Sequence, residues 1–328
     1  MQTCSWQPIS GMEERVCQSC LPVPANILPP GNPRLGFGIY MVIQFSTTPF
    51  TVMKTLLSTL VLLGSALGAT AQTAPEPPFK LNCQDGAWSS YKQLKNYCET
   101  RDLTMDAPAG QPLTVDAGPN GGITVHGWNG PNVRVRVKIQ AWSSTEEKAA
   151  ARAKDISIAT TGNTLRASEP NKDSDSQHGW SVSYEIFVPR ETALALNTVN
   201  GGISLDNLRS TIAFETVNGG VSLVGLGGQV KGETVNGGLD ISLSGSQWEG
   251  KGLDVTTTNG GITWTLPRDY SAQLFTSTNM GGIRTGLPVT KTGMFHKEVT
   301  ANLGKGGAPV RAVTTNGGIS VVQVQGRD

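Results

Sequence analysis

The sequence predicts an all-β fold, most of it a repetitive β-solenoid or β-helix-like stack, with one short helix in its N-terminal β region. Three observations predict it. The 328 residues include 40 glycines and only 16% charged residues, a composition that suits turn-rich β architecture. Several segments alternate strictly between apolar and polar residues, the period of a half-buried strand. A five-residue turn recurs at near-regular intervals through the C-terminal half, the signature of a stacked repeat.

The turn reads Thr-x-Asn-Gly-Gly. It occurs as Thr198-Val199-Asn200-Gly201-Gly202, Thr216-Val217-Asn218-Gly219-Gly220, Thr234-Val235-Asn236-Gly237-Gly238, Thr257-Thr258-Asn259-Gly260-Gly261 and Thr314-Thr315-Asn316-Gly317-Gly318. Thr278-Asn279-Met280-Gly281-Gly282 is a variant with Met280 in the asparagine position, and Asn120-Gly121-Gly122 is a partial copy. Successive spacings from Thr198 are 18, 18, 23 and 21 residues, followed by a gap of 36. Asn and Gly tolerate left-handed backbone angles, so Asn-Gly-Gly is expected to form a tight corner between two strands. Apolar residues alternate on both sides of it, as in Leu194-x-Leu196 before and Ile203-x-Leu205 after the first strict copy. Stacked at the ~4.8 Å strand spacing, such units share a core that none could bury alone. The corner Asn and Thr side chains are expected to form ladders from rung to rung.

Upstream of residues 191–328, residues 111–190 read as an N-terminal β region, with Asn120-Gly121-Gly122 already a partial copy of the turn. Val133, Val135, Val137, Ile139 and Ala141 line one face of a strand whose other face carries Arg134, Arg136, Lys138 and Gln140. A helix over about 145–154 is predicted by its helix formers, with Ser144 or Thr145 as cap and Glu147 completing a box with Ser144. Val182, Tyr184, Ile186 and Val188 mark another alternating strand, closed by Pro189. Residues 191–328 are the repeat solenoid. The stretch from Leu287 to Lys305 departs from the pattern.

An export signal sits inside the chain. Met53-Lys54 is a basic start, Leu56 to Leu67 an apolar run, and Ala69-Thr70-Ala71 before Gln72 an A-x-A cleavage site. On this reading 53–71 is a signal peptide cleaved between Ala71 and Gln72, and 1–52 is an upstream extension foreign to the mature protein. The competing reading is a membrane anchor, which ordinarily needs about 20 apolar residues. Residues 72–110 hold a Pro-rich linker and the Cys83/Cys98 segment. Cys4, Cys17 and Cys20 precede the signal, and Cys17/Cys20 lack the second pair a structural zinc site needs. Cys83 and Cys98 are an even pair in an oxidising compartment, where a disulfide closing such a loop contributes about 3 kcal/mol; two free thiols are the alternative.

The Thr-x-Asn-Gly-Gly units and the strand Val182-Ser183-Tyr184-Glu185-Ile186-Phe187-Val188-Pro189 resemble the bacterial β-strand-repeat family DUF4097, over roughly residues 110–328. The resemblance implies a secreted or periplasmic, adhesin-like β-solenoid with no recognised catalytic residues to carry over.

Residues suited to catalysis are few and scattered. Asp240 stands alone in a stripe of Ser and Thr that follows each corner, and Asp206, Asp254 and Asp269 fall in other registers, so no glycosidase pair is assembled. His126, His178 and His296 are scattered without ligand or triad spacing and read as surface residues. Gly225 to Gly228 and Gly304 to Gly307 read as turns rather than phosphate loops. A calcium β-roll requires a corner aspartate that is missing here. No catalytic residue, metal or cofactor is expected, and a formal net charge of +1 argues against nucleic acid as a partner.

Two features keep binding in view. The basic stripe Arg134, Arg136 and Lys138 is read as a solvated face balanced by residues such as Glu185, with contact to anionic polysaccharide as the alternative. The loop-proximal Trp128, Trp142, Trp180 and Trp248 are read as packing against the helix or the solenoid ends, with stacking on sugars or anchoring of partners as the alternative. The expected function is that of a non-enzymatic exported module, an adhesin or envelope interaction protein, in the periplasm, on the outer surface or secreted. Its partner would be an unidentified protein or polysaccharide at the cell envelope, with no stable membrane span after cleavage. The alternatives are a structural, envelope-maintenance periplasmic protein and a polysaccharide-active β-helix enzyme.

Overall fold

The computed structural model describes residues 75–84, 94–169, 178–289 and 297–325. The extension 1–52, the signal segment 53–71 with Ala71 and Gln72, the cysteines Cys4, Cys17 and Cys20, and His296 lie outside the described residues. In chain order the N-terminal part contains β1 (Lys95–Asp106), β2 (Leu113–Asp116), β3 (Ile123–Trp128), β4 (Asn132–Ser143), α1 (Glu146–Asp155), β5 (Ser157–Ala159), β6 (Thr164–Ser168) and β7 (Gly179–Pro189). The repeats then supply strands in pairs, one on each side of a corner. These are β8 (Leu194–Thr198) with β9 (Ile203–Asp206), β10 (Arg209–Thr216) with β11 (Val221–Val224), β12 (Gly227–Asn236) with β13 (Leu239–Ser242), and β14 (Gly252–Asn259) with β15 (Ile262–Pro267). The last part holds β16 (Ala272–Met280) with β17 (Ile283–Thr285), then β18 (Lys297–Leu303), and finally β19 (Pro309–Asn316) with β20 (Ile319–Val324).

Each corner sends its first strand into one sheet and its second into another. The first sheet runs β1-β4-β7-β3-β9-β11-β13-β15-β20-β17, and the second β18-β16-β19-β14-β12-β10-β8-β2-β6-β5. Corresponding residues of successive repeats are register partners, Thr198 with Thr216 and Thr216 with Thr234. The inward apolar residues therefore meet between the sheets: Leu194, Leu196, Ile203, Leu205, Ile212, Phe214, Val255 and Trp264 are all 2% exposed or less. Where one rung brings a large ring its neighbour makes room. Phe214 pairs with Gly232, and a Cβ on Gly232 would lie 2.3 Å from that ring.

Within residues 111–190, β2 and β3 on either side of the partial copy Asn120-Gly121-Gly122 form a rung of the stack, pairing in parallel with β8 and β9. At the far end, β19/β20 inserts between β14/β15 and β16/β17, so the repeat that is last in sequence is next to last in space. The gap of 36 residues contains β18, which turns back antiparallel along β16 and forms the edge of the second sheet, so Lys297–Leu303 is no regular rung. At the other end α1 lies over β1 and β4. Its cap is Thr145, whose hydroxyl accepts from the Lys148 amide at 3.3 Å, rather than a box with Ser144. Ala149 and Ala153 are its buried residues, and the Arg101 guanidinium donates to the Ala153 and Ile156 carbonyls at its C-terminus.

The corner geometry corrects a further expectation. None of the Asn-Gly-Gly residues lies in the left-handed region; positive angles occur elsewhere, at Gly118, Asn207, Gly225 and Gly245 among others. Glycine is required at the corner by proximity instead. A Cβ on Gly201, Gly219, Gly237 or Gly260 would lie 2.0 Å from the carbonyl oxygen of the corresponding glycine one rung back. Those same carbonyls accept hydrogen bonds from the threonines: Thr216 to Gly201 at 2.9 Å, Thr234 to Gly219 at 2.9 Å, Thr257 to Gly237 at 2.7 Å. Thus the threonines bond rung to rung through the backbone, and only the asparagines form a side-chain ladder. Asn218 donates to Asn200, Asn236 to Asn218, Asn259 to Asn236 and Asn316 to Asn259, at 2.7–2.9 Å. Asn120 starts the ladder as acceptor from Asn200. Met280, 73% exposed, stands beside Asn316 on the end rung, where the ladder stops.

Gly219→Ala is expected to destabilise the protein by about 3 kcal/mol, because the clashing atom is backbone. Gly220→Ala, whose Cβ would meet Gly238 at an ordinary 3.8 Å, should cost less than about 1 kcal/mol. Urea denaturation of the two variants gives the comparison. Met280→Asn should add a donor to the free end of the ladder and raise stability by about 0.5–1 kcal/mol in the same assay.

Candidate functional site

The outer face of the first sheet, over β3, β4 and β7, is where chemistry-bearing side chains converge. In β7 the alternation that buries Tyr184, Ile186 and Val188 should leave Glu185 and Phe187 in solvent. They are 3% and 7% exposed instead. The cover is the extended segment 76–81, which crosses this face without joining either sheet. One Glu185 oxygen accepts from the Lys80 amide at 2.8 Å and from the Leu81 amide at 2.6 Å, and the other from Lys80 at 3.1 Å. The Phe79 ring sits 5.4 Å from that of Phe187, with the Arg134 guanidinium 4.9 Å and the Arg136 guanidinium 4.7 Å from its centroid. Arg134 also donates to the Pro77 carbonyl at 2.8 Å and pairs with Glu76 at 3.1 Å.

Beneath the strap, register builds a second group. His126 is the partner of Phe187 on one side and of Asp206 on the other. Its ring stacks on Phe187 at 4.8 Å, its Nδ1 bonds to the Asp206 carboxylate, and its Nε2 is 3.5 Å from Glu185. An imidazole bridging two carboxylates is well placed to fix all three side chains. Among the described residues no set of three His, Cys, Asp or Glu is arranged to hold a metal ion.

The structure relocates most of the residues singled out in the sequence. Arg134 and Arg136 are engaged within the chain, Arg134 by the strap and Arg136 by Asp102 in a two-bond pair, both bonds 2.7 Å. Lys138 is buried. Cys83 and Cys98 form a disulfide that ties the end of the strap to β1. Trp248 is buried with its indole donating to the Gly228 carbonyl, while Trp128 donates to Asn132 and Trp180 to Glu169. Asp240 has Ser222 and Thr263 as register partners and lines an open, shallow groove of about 570 Å³ floored by Ser, Thr and Gly. His126 is no isolated surface residue, and its link to Asp206 was missed, although both stand four residues beyond the second corner glycine, Gly122 or Gly202.

On the second sheet, Glu215 and Glu233 stand in register on adjacent rungs, in an open groove of about 430 Å³ beside the exposed Val199, Val217 and Val235. This is the only place among the described residues where the repeat sets two glutamates side by side on neighbouring rungs. Both carboxylates are exposed, with Asn197 the register partner beyond Glu215 and Thr256 the one beyond Glu233.

A family profile described as Toastrack DUF4097 matches residues 136–322, more than half of the chain. The chain belongs to the Toastrack DUF4097 family. No curated protein matches it. Among solved structures, a cell adhesion candidate from Clostridium sporogenes is 14% identical over 69% of this chain and 100% of that chain, with a TM-score of 0.36. An adhesin candidate from Bacteroides fragilis is 13% identical over 70% and 97%, with a TM-score of 0.32. A lipid-binding candidate from Parabacteroides distasonis is 12% identical over 69% and 96%, with a TM-score of 0.27. Among the described residues of this Toastrack protein no helix is long and apolar enough to cross a membrane.

The Arg136 hydrogen bonds hold the Asp102 carboxyl below its ordinary value, with the Arg136 and Arg134 charges acting in the same direction. Its contribution to stability is therefore present above the unfolded carboxylate range and is lost as pH falls through the lowered folded value. Asp102→Asn should lower the melting temperature near neutrality, by an amount equivalent to no more than about 1 kcal/mol for so exposed a pair. The difference from the parent protein should shrink toward zero in strong acid, and melting curves across pH check it.

Proposed function

We propose that the protein is a non-enzymatic, exported module that presents its stacked β faces for adhesion or protein contact at the cell envelope. The observation that carries the reading is the use of the repeated residues. Corner Asn, Gly and Thr are consumed in holding rung to rung, and what remains outside is long rows of repeated side chains, such as Val199, Val217 and Val235 beside Glu215 and Glu233. Rows of this kind suit extended contact with a partner better than they suit the asymmetric geometry of catalysis. Export is supported by the signal-like segment 53–71 and by the Cys83–Cys98 disulfide, a bond that persists in oxidising compartments.

Fractionation of cells expressing tagged protein, followed by N-terminal sequencing, should recover a mature form beginning at Gln72 outside the cytoplasm. Retention of residue 1 in the mature form, or a cytoplasmic location, would overturn the export reading. Cleavage by protease added to intact cells is the outcome expected of an adhesin; protection until the outer barrier is opened would favour the envelope-maintenance role. Turnover on a glycan panel that disappears in Glu215→Gln and Glu233→Gln would replace both with the enzyme reading.

A further inference from the structure

Segment 76–81 is held in the manner of a bound peptide. It makes no sheet pairing, and its contacts are few and specific: an ion pair from the exposed Glu76 to Arg134, one carbonyl at Pro77, one ring at Phe79 and the two successive amides of Lys80 and Leu81. The side chains of Pro78 and Lys80 are exposed, so apart from the rim pair at Glu76 the face recognises main chain plus one aromatic ring. An extended segment alternates its side chains in this way, and any sequence with an aromatic residue followed by two residues that retain N–H groups satisfies the ring and backbone contacts.

The receiving side is assembled without the segment. Glu185 and Phe187 are on β7, which is paired on both sides by β4 and β3. Phe187 rests on His126, itself bonded to Asp206 of β9, and Arg136 is fixed by Asp102 of β1. A carboxylate this deeply covered needs donors, and two backbone amides supply them. The disulfide at Cys83, two residues beyond Leu81, keeps the segment at a local concentration that for short tethers is on the order of millimolar.

We infer that the outer face of β3, β4 and β7 is a peptide-recognition site, occupied by the chain's own residues 76–81 as a tethered ligand. The ligand class is an extended peptide bearing an aromatic residue followed by two residues with free backbone N–H groups. Glu185 captures the amides, Arg134 and Arg136 grip the ring, and Arg134 reads the carbonyl two residues before it. The site stands whether or not the protein is exported.

The test uses the full oxidised chain and a fluorescein-labelled peptide of residues 76–81, Glu-Pro-Pro-Phe-Lys-Leu, followed by anisotropy. The parent chain should bind it weakly, because the tethered segment competes. Phe79→Ala in the chain weakens that competitor and should tighten peptide binding by about tenfold or more. Adding Glu185→Gln to Phe79→Ala should reverse the gain by about tenfold, and a peptide with alanine in place of its phenylalanine should not bind. If Glu185→Gln fails to fold, Arg134→Met, with an unchanged circular dichroism spectrum and melting temperature, takes its place and should give the same loss. Equal binding by the parent and Phe79→Ala chains, or binding indifferent to the peptide's ring and to the site variant, overturns the proposal.

Discussion

The structure depends on how closely the rungs approach one another at their corners. Parallel strands sit about 4.8 Å apart, and at the Asn-Gly-Gly corner that spacing brings each first glycine against the carbonyl of the same glycine one rung back. A Cβ there would be only 2.0 Å from the oxygen. With glycine in place, that carbonyl can receive the threonine hydroxyl and the asparagines can align their amides, so three features of one motif follow from one distance. Phe214 and Gly232 show the same constraint inside the core, a ring on one rung filling the space left by the next.

Regular stacking creates ends, and the chain handles them with its irregular segments. At one end α1 and the antiparallel β1 and β4 close the stack, with Arg101 satisfying the helix carbonyls. At the other, β18 folds back on β16 and the C-terminal rung enters beneath it. An exposed parallel edge would offer a row of unpaired backbone groups, so departures from the repeat are expected where the repeat must stop. Met280 belongs with them, standing on the end rung beyond Asn316, where the ladder stops.

The strap adds a second kind of specificity. The repeat faces are uniform along the stack, whereas the face over β3, β4 and β7 concentrates a buried carboxylate, two guanidinium groups, two phenyl rings in tilted contact and an imidazole stacked on one of them. Parallel and antiparallel pairing meet here, with β7 lying antiparallel to β4 and parallel to β3, so side chains from distant parts of the sequence come side by side without any shared motif.

The sequence by itself determined the class of fold, the repeating unit and its inward residues, because alternation and turn composition are local and the strand spacing is universal. The valines of β4 and the leucines around each corner face inward as their alternation requires. It also marked Cys83 and Cys98 as a pair. Tertiary structure alone decided the rest. That glycine answers to a neighbouring rung rather than to its own backbone angle, that β19 enters ahead of β16, that His126 meets Asp206 across 80 residues, and that Arg134 and Arg136 serve the strap rather than solvent are facts of register between distant strands. Local pattern fixes which face of a strand is buried; only packing fixes which strand, or which stray segment, lies against it.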